Sequence, residues 1–351
     1  MADYHFHADA HALVGKLNLP FDEQIKEQAL VTLDGHSQTL LLEGEERKLK
    51  GKKSQKNYFS QQAKDYRLAN IISYSAAHTQ VAGHRSDKNP NAFVTLATSS
   101  VEGLNVLNVV TADRVVAQIA TTHFPEDYSP QVTFLGTHFE NLRIAGHKTL
   151  PRLNLAFVGH RPKGSAYYPT RGTPLMASVE KQYQRLRDEF GKLKPQLEPD
   201  HLERLDWHCS DYHGFSDFDY ARLEIEVAAA DAKERSASIS SGVKWGGVTY
   251  SLVEQIEIEG FEIATKNEKS IGIPTPARSF GHIIHVPDFG TIFLAEMKVN
   301  HNSFNLTMIR LEMGCVASGG LSIATCNVNG KRGGGGGNGS SLAGNGGTHD
   351  R

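Results

Sequence analysis

The sequence predicts a mainly β protein: an antiparallel, sandwich- or barrel-like sheet system carrying a partly helical insertion. Three observations lead there. Residues 95–155 are dense in valine and other β-branched side chains, which suit a pleated surface better than a helix. Residues 4–19 alternate apolar and polar. Between 175 and 193 the spacing changes to that of a helix.

Along residues 4–19, Phe6, Ala8, Ala10 and Ala12 share one face of a strand, and His5, His7, Asp9 and His11 the other. Residues 21–42 add one or two strands, with Asp34-Gly35 expected as a hairpin turn. Six basic residues crowd positions 47–56, with only Tyr58 and Phe59 as nearby aromatics. Without a binding motif around them they read as a solvated loop. Strand pattern resumes at 68–84 and leads through the loop 85–92 into the valine-rich stretch.

Within that stretch a helical period fits Val109, Ala112, Val116 and Ala120 but leaves Val110, Val115 and Ile119 off the stripe, so strand is the better reading. Alternation returns at Phe139, Leu142 and Ile144, bounded by Gly136 and Gly146.

After residue 160 the pattern changes. Val179, Tyr183, Leu186, Phe190 and Leu193 recur at helical spacing, with Pro174 at the start and Gly191 and Pro195 at the end. A second short helix is expected from about Pro199 to Gly214. Residues 161–237 therefore read as an insertion into a discontinuous β-framework of 1–160 and 238–330. Val248, Tyr250 and Leu252, then Ile256 and Ile258, return to strand, and a bulge is expected at Gly246-Gly247. Strands through 278–314 complete the sheet, with His282 and His285 expected on opposite faces. The glycine-rich residues 331–351 offer nothing to bury and are expected to be disordered.

The run SVEGLNVLNVVTADRVVAQI resembles a signature of the choice-of-anchor P family. Its matching positions are Val101, Gly103, Leu104, Val110, Thr111, Ala112, Asp113 and Val115. Two further phrases follow in order, one with Phe139, Leu142, Ile144 and Gly146, the other with Pro287, Gly290 and Thr291. The resemblance touches about half the chain and implies a β-rich bacterial protein of undefined molecular activity. Members usually carry a signal peptide and a surface anchor.

A net charge of −2 and a pI near 6.8 provide no overall field for nucleic acid or membrane. The N-terminus lacks the basic head and apolar core of a secretory signal, and no apolar run reaches the length of a membrane span. The expected compartment is cytoplasmic, with export by a signal-independent route left open. Three cysteines do not make a disulfide framework. In a hairpin turning near Ala317, Cys326 is expected opposite Ile309 and Cys315 at the turn, out of bridging range.

No nucleophile elbow, phosphate loop, dinucleotide fingerprint or HExxH motif occurs. The first functional expectation is thus a non-catalytic structural or partner-binding β protein whose partner is a protein or glycan, with no nucleic acid and no cofactor. Seventeen histidines keep a second alternative, a metal-binding protein or metal-dependent enzyme. Its candidate ligands for a transition metal are His5, His7 and His11, or His208 and His213 in the acidic cluster around Cys209. His78, His84 or His138 would assist from neighbouring strands. A third alternative is a carbohydrate-binding module, stacking sugars on Trp207, Trp245, Tyr167 and Tyr168.

Overall fold

The computed structural model describes residues 3–36, 58–89, 91–124, 127, 129–163, 168, 172–193, 248–259, 278–299, 303–314, 317–329 and 331–333. In chain order the first strands are β1 (Asp3–Leu19), β2 (Glu23–Gln28), β3 (Val31–His36), β4 (Tyr58–Leu68), β5 (Ile72–Arg85), β6 (Phe93–Val106) and β7 (Val110–His123). Four short strands follow: β8 (Gln131–Thr133), β9 (His138–Glu140), β10 (Arg143–Ile144) and β11 (His147–Leu153). After helix α1 (Pro174–Leu193) come β12 (Val248–Ser251), β13 (Val253–Ile258), β14 (Arg278–Phe280), β15 (Ile283–Val286) and β16 (Gly290–Val299). The last are β17 (Ser303–Gly314), β18 (Ser318–Asn329) and β19 (Lys331–Gly333).

These strands form two antiparallel sheets packed face to face as a sandwich; the described strands close no barrel. Sheet A runs β14-β15-β16-β17-β18-β1-β19, with β12 on β16 and β2 and β3 on β1. Sheet B runs β13-β11-β10-β7-β6-β5-β4, with β8 and β9 on β7. The first strand of the chain thus lies beside one of the last, so both ends of the sequence build one sheet.

Small side chains line the seam. Ala8, Ala10 and Ala12 of β1 face a layer containing Ala77, Ala97, Ser99 and Ala117, all buried. With so little side chain between them, the sheets come close enough for hydroxyl and thiol groups to reach across. Ser99 Oγ donates to the His11 carbonyl at 2.9 Å, and Cys326 Sγ to the Ala117 carbonyl at 3.4 Å.

Each sheet changes phase along one line. In sheet B the ladder skips Asp65, Ser75, Gly103 and Asp113, one residue on each of four adjacent strands. Asn141 continues the line between β9 and β10. Asp65, Gly103 and Asn141 have φ of 52°, 62° and 48°. Left-handed residues of this kind are most easily Gly, Asn or Asp. Across the line, inward residues are three apart instead of two: Tyr74 and Ala77, Leu104 and Val101, Ala112 and Val115. Sheet A does the reverse. Its line passes through Ala12, Ala324, Met308 and Ala295, and two successive residues on each strand face inward, such as Met308 and Ile309.

The strand reading of residues 109–120 holds. Val110, Ala112, Val115, Ala117 and Ile119 are all buried on one strand, and the single step of three, from Ala112 to Val115, is the phase change. The same step separates Phe139 from Leu142, so the alternation there is broken once, at Asn141.

The chain crosses between sheets at Leu252. Its N–H donates to the Ala295 carbonyl in sheet A at 3.0 Å, and its carbonyl accepts from Asn154 N–H at 2.7 Å beside sheet B. Helix α1 clamps this corner. Thr173 caps its start, accepting from Met176 N–H through Oγ1, and Pro174 occupies the first turn. Gln182 pairs with the Ser251 backbone in both directions at 2.8 Å, and Tyr183 Oη donates to the Thr249 carbonyl. Leu175, Met176, Val179, Tyr183 and Leu186 are buried in the common core, so the helix is structural rather than peripheral.

Four expectations need correction. Asp34-Gly35 is no turn: both lie within β3, opposite His7 and Phe6; the chain reverses earlier, between β1 and β2, and β2 and β3 then run the same way along β1, interrupted at Ala29, which has φ 51°. Cys326 lies opposite Leu306, not Ile309, because Gly314 pairs with Ser318, which shifts the expected register by three residues. Lys331–Gly333 forms a strand on β1, since backbone pairing needs no side chain. Gly191 falls inside α1 rather than ending it. The expected bulge at Gly246-Gly247, the second helix and Cys315 lie outside the described residues.

Candidate functional site

Alternation on β1 places His5, His7, Asp9 and His11 in a row on the outer face of sheet A, as the sequence indicates. Neighbouring strands supply their partners. Asp34 sits opposite His7, Asn327 opposite Asp9, and Thr325 opposite His11. His5 Nε2 lies 2.8 Å from Asp34 Oδ1, and His7 Nδ1 lies 3.9 Å from the same oxygen. Asn327 donates to Asp9 Oδ1 at 3.1 Å and accepts from Ser303 Oγ at 3.0 Å.

The electrostatics differ along the row. Burial pushes Asp9 up, and the Asn327 hydrogen bond opposes that shift. Burial lowers His11 to about 4, so its imidazole is neutral at pH 7. His11 Nε2 is buried without a hydrogen-bond partner. Same-face strand residues stand about 6.6 Å apart, too far for one ion to bind a whole row. Among the described residues no group of three or more His, Cys, Asp or Glu side chains is placed to hold a metal ion. His78, His84 and His138 lie on sheet B, away from this face. His208, His213, Trp207, Trp245 and Tyr167 lie outside the described residues. Tyr168 is a core residue: its hydroxyl donates to the Pro130 carbonyl at 2.8 Å and its ring meets Phe304 edge-on.

Two buried polar groups escaped the sequence reading. The first joins β16 and β17. Glu296, 3% exposed, accepts two hydrogen bonds from Arg310, from Nε at 2.5 Å and Nη2 at 3.0 Å. The guanidinium also donates to Glu312 and lies 3.6 Å from the Phe293 ring centroid. His282 is close by; burial lowers it to about 4, with Glu296 raising and Arg310 lowering it further. The available signal was a lone glutamate in the apolar run IFLAEM and a lone arginine in MIRLEM.

The second group lies between the sheets. Tyr4 stacks on Phe93 at 4.9 Å and also touches His123. Burial lowers His123 to about 3 and pushes the Tyr4 phenol up. Its signal was the alternation FVTLAT, with Phe93 and Thr95 on one face. Both groups are neutral or internally paired, which suits packing better than acid–base work.

Fold and site together define an antiparallel β-sandwich with, among the described residues, one built-in helix and a polar outer face on its first strand. The chain belongs to the family described as Domain of unknown function (DUF8256), whose model matches residues 54–300, more than half of the chain. Strands β1 to β3 and β17 to β19 lie outside that match, although β1, β17 and β18 are inner strands of sheet A. No curated protein and no solved structure matches. No helix among the described residues is long and apolar enough to cross a membrane.

Proposed function

We propose that this chain is a non-catalytic binding module of the choice-of-anchor P type, whose partner is a protein or glycan. One observation carries the reading. The Cys326 thiol and the Tyr4–His123 group between the sheets serve packing, whereas the half-buried polar groups of β1 lie on the outer face of sheet A. A face bearing His5, His7, Asp34, Asp9 and Asn327 side by side suits recognition of a surface.

The test is elemental analysis and thermal denaturation of untagged protein with and without zinc, nickel or copper. The reading predicts substoichiometric metal and an unchanged melting temperature. Near-stoichiometric metal that stabilises the fold and disappears in a His5→Ala/His7→Ala variant would replace it with the metal-binding alternative.

A further inference from the structure

Strand β4 ends sheet B. It pairs with β5, and among the described residues no strand occupies its other side. Most of its side chains are exposed on both faces, including Tyr58 and Phe59. An unpaired edge displays a row of N–H and C=O groups that can accept another strand, and natural sheets usually protect it with charge, proline or a bulge. Here the protection covers one half only. Lys64, Arg67 and the left-handed Asp65 occupy the second half, while residues 58–63, Tyr-Phe-Ser-Gln-Gln-Ala, carry no charge and no proline.

Resting on the binding-module reading, we infer that β4 is a self-association edge: two copies of this chain pair antiparallel through residues 58–64, about a two-fold axis at Gln61. The faces restrict the register to a two-fold axis through a residue, and Gln61 is the middle of the seven-residue stretch. Phe59, Gln61 and Ala63 lie opposite the buried Val81, Thr79 and Ala77 of β5, so they share the inward side. Directly opposed residues in an antiparallel pair share a face. A two-fold at Gln61 satisfies this, setting Phe59 against Ala63, Ser60 against Gln62, and Tyr58 against Lys64.

The pairing is self-complementary. No like charges meet, the lysine ammonium lies over a tyrosine ring, and the two Gln61 amides face each other across the axis. The phase change at Asp65 ends the pairing there, because beyond it the faces are out of step. Seven residues make a small interface, so association is weak and depends on concentration.

Sedimentation velocity of the full chain across a concentration series tests this. Expected is a monomer–dimer equilibrium that Gln61→Lys abolishes, since it sets two ammonium groups against each other at an exposed position. Gln61→Cys reads the same contact without added charge. Opposed Cα atoms are about 4.5–5.5 Å apart, inside the ~4.4–6.8 Å that a disulfide spans. Under mild oxidation Gln61→Cys should crosslink, and Leu135→Cys, at a position 72% exposed elsewhere on the chain, should not. A wild-type chain that stays monomeric to roughly 1 mM, the weak end of specific association, would overturn the inference. So would a dimer unaffected by Gln61→Lys. Either result leaves the metal experiment untouched, so failure of the edge and failure of the binding-module reading are distinguishable.

Discussion

Asn141 donates its side-chain amide to Asp113 Oδ2 across 2.6 Å, on the line where sheet B changes phase. The contact ties the loop between β9 and β10 to β7 at the point where the ladder skips a residue. Gly103 lies on the same line with φ 62°, and a Cβ there would meet Ser75 Oγ at 2.6 Å. Gly103→Ala therefore combines strain with a clash and should cost about 2–3 kcal/mol. Gly146→Ala, with φ 83° and nothing within 4 Å, should cost only about 1 kcal/mol. Urea denaturation of both variants checks the order.

The phase-change line also shows what the sequence disclosed. Valine-rich pleats, the β1 face assignment and α1 were legible because each rests on local periodicity. The Val-Xaa-Gly-Leu and Ala-Asp-Xaa-Val phrases were legible as a motif, but not as geometry. Their spacing of three encodes the step at Gly103 and Asp113. The partners of His7 and Asp9 were hidden, because Asp34 and Asn327 reach them through strand register, which no local pattern specifies. Glu296 and Arg310 stand 14 residues apart, and only the β16–β17 pairing brings them together.

The fold should lose stability in acid. His11, His123 and His282 have folded values of about 4, 3 and 4 against 6.5 unfolded, each lowered first by burial. The unfolded chain then binds more protons, so stability is full above pH 6.5 and declines as pH falls toward 3–4. Asp9, raised by burial, acts in the opposite sense near its own titration. A His123→Phe variant should show a shallower decline of melting temperature between pH 6.5 and 4. An unchanged slope would mean that His123 is not buried as described.

The Glu296–Arg310 pair should behave as a buried ion pair. Glu296→Ala leaves the guanidinium with Glu312 as its remaining carboxylate and should cost about 2–3 kcal/mol. Glu296→Met combined with Arg310→Leu should cost clearly less than the two single changes added together. A double-mutant cycle by chemical denaturation measures the coupling, and simple additivity would contradict the pairing.

Helix α1 should contribute to global stability. Leu186 is 3% exposed and its side chain packs beside Gly281. Leu186→Ala should cost about 2–4 kcal/mol and lower the single unfolding midpoint. A loss confined to a separate early transition would make the helix an appendage.

Native-state amide hydrogen exchange tests the account most directly, because β1 must be an inner strand of the sandwich. Amides of Ala8 and Ala10 in β1, and of Cys326 and Val328 opposite them, should exchange with the same opening free energy as Ala97 and Ala117 of sheet B. Residues 3–19 exchanging at unfolded rates while β6 and β7 stay protected would contradict it.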